Sequence, residues 1–199
     1  MKYIKKAKKE KDVNIALELS YEIFSSTLGR SLGLPIPEVE LVSLDNGDIG
    51  LSMDYLGDLK DQEIVNKKEL GMSLPFEELL LNVDLKREHV MVKDRKGYII
   101  DHGHVLDAWK PLYYIEDIIW SPVTRFDLWS NPSALREGVE LVKQIDLDYA
   151  KKELGLSMEL VRQSKLCSLF TAQVVEDHLN TSYKILKLRK TIVPRLYTI

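Results

Sequence analysis

Cysteine is all but missing from this chain: Cys167 is the only one in 199 residues. A lone thiol forms no internal disulfide, so the fold must rest on its core, and a reducing, cytoplasmic setting is expected. Long apolar runs are missing too, and none approaches the ~20 residues that span a bilayer. The first eleven residues are rich in lysine and lack the apolar segment of a secretory leader. The net charge is −3, which excludes a global basic field of the kind that draws a chain to nucleic acid. Glycine (10) and proline (7) are sparse, and no repeat or low-complexity segment breaks the sequence. With 45% hydrophobic and 30% charged residues, the composition suits one domain, or one compact domain of two lobes.

Apolar periodicity supplies the elements. Residues 3–7 form a short strand candidate. Val13, Ala16, Leu17, Phe24 and Leu28 recur at helical spacing, so a helix is expected over 12–32, capped by Asp12 and stopped by Gly33. Pro35 and Pro37 enforce an extended exit. Strands follow at 39–43 and 49–55 about the Asn46-Gly47 turn signal. Residues 56–72 read as a connector with a short helix, and Pro75 as the opening of a helix through Leu81. A second hairpin is expected, with strands 89–93 and 98–101 about the turn 94–97. Helices are then expected at 113–119, 133–144, 157–168 and 169–190. This order is α+β rather than alternating βαβ.

The chemistry concentrates around the second hairpin. Asp84 follows a helix, His89 lies five residues on, and Asp101 ends the hairpin, followed by His102-Gly103. Phosphoryl transfer uses one carboxylate to accept the proton of the attacking hydroxyl and another to hold the metal that bridges the phosphates. Antiparallel strands between two such carboxylates bring both to one edge. Taken singly, each Asp has an ordinary use at a helix end or a turn; their joint spacing points to phosphoryl transfer.

The run Asn82-Val83-Asp84-Leu85-Lys86-Arg87-Glu88-His89, with Ile99-Ile100-Asp101-His102-Gly103, resembles the HipA-like kinases, whose fold is related to protein kinases and phosphatidylinositol kinases. The resemblance extends to Tyr3-Ile4-Lys5-Lys6, to Glu22 and to Gly33-Leu34-Pro35-Ile36-Pro37. It implies a two-lobed fold, with a β-rich N-lobe over 1–56 and a mostly helical C-lobe over 57–199 that holds the catalytic hairpin 82–106. It implies ATP and Mg²⁺ as cofactors and a protein serine or threonine as acceptor. Asp84 becomes the catalytic carboxylate and Asp101 the metal ligand, with His89 at the second metal position. Lys6, in the favoured register, contacts phosphate, and Glu22 pairs with it. Met53, Asp54, Tyr55 and Leu56 form the hinge that meets adenine.

Three positions depart from that family. His89 replaces an asparagine: Mg²⁺ prefers oxygen ligands, so an imidazole there either suits Mn²⁺ or another transition metal better or marks the loss of the second metal site. Leu85 replaces an arginine, and no Gly-rich hairpin precedes the lysine strand. A kinase fold without catalysis, serving as a nucleotide- or protein-binding module, is therefore the alternative. A third reading joins Lys184, Lys187, Arg189 and Lys190 to the basic N-terminus as a nucleic-acid surface. His89, His102 and His104 suggest a metal cluster, but their spacing fits no structural zinc pattern. Trp109, Trp120 and Trp129 are expected to anchor the helical half by packing.

Overall fold

The helix α1 (Val13–Ser31) is buried on nearly every side, and the rest of the chain is arranged around it. In this computed structural model, which describes residues 2–7, 12–58 and 64–197, α1 lies between a small sheet and a group of C-terminal helices. Asp12 caps it, its carboxylate accepting from the Ile15 N–H at 3.0 Å. Gly33, at φ +73°, ends it, its N–H donating to the Arg30 carbonyl.

The first sheet is antiparallel. Its central strand β3 (Ile49–Asp54) lies between the edge strands β1 (Lys2–Lys6) and β2 (Val39–Ser43). Lys5 stands opposite Leu51, and Tyr3 opposite Met53. The second sheet joins the short β4 (Gly57–Asp58) to the hairpin β5 (Val90–Lys93) and β6 (Lys96–Ile99). Helix α2 (Lys67–Leu79) lies between β4 and β5, and a 3-10 turn at Arg87–His89 leads into β5. Helices α3 (Leu112–Ile118), α4 (Pro132–Gln144), α5 (Leu147–Gln163) and α6 (Ala172–Leu196) complete the chain. The architecture is α+β, and no described helix is long and apolar enough to cross a membrane.

One apolar cluster runs from Leu51 and Met53 in the sheet, through Phe24 and Leu28 of α1, to Leu154 and Met158 of α5 and Leu186 of α6. It crosses position 56, so the two halves of the chain share a core. A smaller cluster, which includes Leu70, Leu85, Val90 and Ile99, sits beneath the second hairpin.

Four expected elements are corrected. Helix α2 begins at Lys67, and Pro75 lies inside it instead of opening it. The ring meets a glycine there: a Cβ on Gly138 of α4 would approach Pro75 Cδ at 2.9 Å and the Met72 carbonyl oxygen at 2.2 Å. The hairpin turn is the pair Asp94-Arg95, both at positive φ, the geometry that matches the twist of flanking strands. The C-terminal helices start at Leu147 and Ala172, capped by Asp146 and Thr171, rather than at 157 and 169.

Candidate functional site

Strand β1 carries Lys5 to the middle of the molecule. Its ammonium donates to Glu22 Oε1 of α1 at 3.0 Å and to Asp101 Oδ1 after β6 at 2.5 Å. The lysine that meets Glu22 is thus Lys5, where the sequence register favoured Lys6. Alternation explains the difference: Tyr3 and Lys5 share one face of the strand and line the same cavity. The Lys6 side chain lies outside the described part.

That cavity, of about 360 Å³, is walled by Lys5, Glu22, Asp101 and Met91. All four hinge candidates, Met53, Asp54, Tyr55 and Leu56, line it as well. Among the described residues no backbone hydrogen bond is formed by Tyr55 or Leu56. Asp54 is turned instead to Lys93, at 2.9 Å.

Asp101 sits at φ +68°, a left-handed conformation that Asp tolerates and that turns the chain sharply out of the hairpin. Its neighbours hold the turn. The His102 N–H donates to Glu22 Oε2 at 3.0 Å, and the His102 ring meets Glu77 Oε1 at 3.0 Å in the interior. Asn82 donates to the other Glu77 oxygen at 2.7 Å. Burial works against the ionised Asp101, but the Lys5 charge and hydrogen bond and the His89 charge hold its carboxyl down at about 2. Burial likewise opposes the Lys5 ammonium, and Glu22 and Asp101 outweigh it, raising its pKa.

His89 is buried, its Nε2 lying 3.6 Å from Asp101 Oδ2. Its Nδ1 has no hydrogen-bond partner. His102 and His104 do not join it, since His104 is bound to Glu18. Among the described residues no three His, Cys, Asp or Glu side chains form a group that could hold a metal ion. Asp101 and His89 are therefore two donors, a set that fits a divalent ion only when phosphate oxygens and water supply the rest of its shell.

Asp84 stands apart. It does not line the cavity, and its carboxylate pairs with Lys86 at 2.8 Å. Leu85, fully buried beneath the hairpin, anchors this loop by packing, a role an arginine would fill by charge.

Sequence reasoning missed Glu77, Asn82 and Lys86. Glu77 looks like a surface residue in a helical pattern, and only its wholly buried position reveals that it orients His102. The basic C-terminal patch is thinner than its sequence. Arg189 is fully buried against Glu78 at 2.7 Å, and Lys190 donates to the Ile145 carbonyl, leaving Lys184 and Lys187 exposed. Of the tryptophans, Trp109 and Trp120 are largely exposed, whereas Trp129 packs edge-on against Phe126.

Compared with known proteins, the chain matches no family model, no curated protein and no solved structure.

Proposed function

We propose that the chain is an ATP-dependent phosphotransferase of the HipA-like kind, passing the γ-phosphoryl group to a serine or threonine hydroxyl of a protein. The observation that carries this reading is the meeting of Lys5, Glu22 and Asp101 at the edge of a cavity that Tyr55 and Leu56 also line. Three segments distant in sequence supply a cation, the carboxylate that positions it, and a second carboxylate, which is the equipment that phosphate binding requires. The lone Cys167, free and buried, suits a cytoplasmic setting.

Each residue then has a task. Lys5 spends two of its three N–H donors on Glu22 and Asp101 and keeps one for a phosphate oxygen. The amides of Tyr55 and Leu56 meet the adenine edge. Asp101 and His89 hold the metal, Mg²⁺ or Mn²⁺, which neutralises phosphate charge when bound. Asp84 takes the proton of the acceptor hydroxyl, with Lys86 beside it.

Melting temperature tests the reading, measured with and without ATP in Mg²⁺ and in Mn²⁺. A ligand that binds the native state alone raises stability by mass action. The parent should gain a metal-dependent rise that Asp101→Asn loses, whereas Asp84→Asn should keep the rise and lose phosphoryl transfer. Absence of any rise with either metal counts against nucleotide binding at this cleft.

A second reading, a kinase-like binding module without catalysis, is favoured by one observation: Asp84 is paired with Lys86 and does not line the cavity. In that case ATP still raises the melting temperature, and no phosphoryl transfer accompanies it. The nucleic-acid reading loses ground because Arg189 is spent in the interior.

A further inference from the structure

On the other flank of α1 lies a separate cavity of about 480 Å³. It is bounded by the start of α1, by the loop that follows Asp101, and by one face of α6. None of its lining residues belongs to the cleft described above.

Its floor is a buried polar network. The Asp107 carboxylate accepts from Tyr21, from Ser182 at 3.0 Å, and from His178 Nδ1 at 2.7 Å. Three donors satisfy that charge, and burial does not raise the acid, because these bonds and the His178 charge hold its pKa below the ordinary value. With Nδ1 committed to Asp107, His178 is left with Nε2 to meet a ligand, and it donates when protonated. The histidine is partly exposed, and it lines the cavity.

Lys110 lies beside this network and is 8% exposed. Its ammonium donates to two backbone carbonyls, those of His104 and Ala108. An ammonium has three donors, so one remains. Asp107 and Asp84 lie near enough to favour its charge, but among the described residues neither forms a hydrogen bond or ion pair with it, which is uncommon for a buried cation. Above these polar groups stand Trp109 and Leu112, 44% and 65% exposed. Trp109 is held at φ +58°, its N–H donating to Asn14 Oδ1 at 3.1 Å. A bulky side chain fixed in that conformation is strained, and such strain persists where the surroundings over-determine it.

The charges select the ligand. A buried ammonium held directly by two carbonyls, with one donor to spare, and a carboxylate-anchored imidazole call for an anionic group. The exposed Asp177 carboxylate on the wall repels a second negative charge, so a phosphate dianion is disfavoured. The volume falls in the range of small-molecule sites, and the aromatic and aliphatic wall calls for an apolar body. We propose that this cavity binds a small monocarboxylate, its carboxylate received by Lys110 and His178 and its apolar body lying on Trp109 and Leu112. The site stands independently of the phosphotransferase reading.

Burial holds the Lys110 ammonium down at about 8, against the pull of Asp107 and Asp84. An anion that pairs with it above that pH must therefore draw in a proton. Calorimetric titration of the whole chain with benzoate, and with benzamide as the uncharged counterpart, tests the site. Runs a unit below and a unit above pH 8, each in two buffers of different ionisation enthalpy, report the proton. Benzoate should bind about tenfold more tightly than benzamide and take up a proton in the more alkaline runs. Lys110→Met should abolish the preference for the charged ligand. Trp109→Ala should keep that preference and lose the advantage of benzoate over acetate, a second variant in case the first does not fold. Equal binding of benzoate and benzamide, an unchanged preference in Lys110→Met, or no benzoate binding by the parent would overturn the proposal.

Discussion

Lys5 is the residue on which the cleft turns. Among the described residues it is the one cation that touches both Glu22 and Asp101, and methionine in its place would leave two carboxylates facing each other without it. Like charges so placed repel, and one must take up a proton. Under the proposed function, Lys5→Met should therefore lose ATP-dependent stabilisation while circular dichroism shows the helices intact; a variant that still gains stability from ATP would remove Lys5 from the proposed phosphate site. The sequence named the right strand and left its phase open, since Tyr3-Ile4-Lys5-Lys6-Ala7 has no clean alternation of apolar and polar residues. Asp101 was legible because its segment, Ile-Asp-His-Gly, combines a turn with a carboxylate. The network behind it was not. Glu77 and Asn82 act through His102, and nothing in their spacing distinguishes them from solvent-facing residues of a helix and a loop.

At the scale of elements, sequence patterns succeeded for the buried α1 and for α4, one face of which meets water. Helix α4 shows this: Asn131 caps it, Pro132 opens it, and its apolar stripe marked its extent. They failed at α2, which is buried on most sides and carries Glu77 and Glu78 into the interior. Glu77 and Glu78 break its apolar pattern, and Pro75 reads as a start signal although it lies inside the helix. Glu78 is accommodated by donors from elsewhere: Arg189 of α6, and the Val123 and Thr124 amides. Helices α2 and α4 approach closely because Gly71 and Gly138 have no side chains at the seam. Gly138→Ala would drive a methyl into the backbone of Met72, for which no side-chain movement compensates. Overpacking of this kind costs about 1–3 kcal/mol, and chemical denaturation should show the loss. A neutral result would mean that α4 can move away from α2 without penalty.

For the molecule as a whole, acidity should report on the cleft. The folded-state value of Asp101 lies below its ordinary 3.8, so the unfolded chain takes up a proton before the folded one does. The stability this carboxylate contributes is whole above 3.8 and is lost as pH falls through about 2. The difference in melting temperature between the parent and Asp101→Asn should accordingly be steady near neutrality and shrink on acidification through that window. A difference independent of pH would show that the charge of Asp101 is not what stabilises the fold. The α+β class was legible in the order of elements, while the shared core was not. Tyr21 meets Ser182 across 161 positions, and no local pattern announces such a contact.

Lys5 and Asp101 lie 96 positions apart, and this separation orders events in time. Helices are made of local contacts and form early, whereas a pairing across such a distance must wait for the chain to close a long loop. The cleft is therefore absent from any species in which either the first strand or the second hairpin remains undocked.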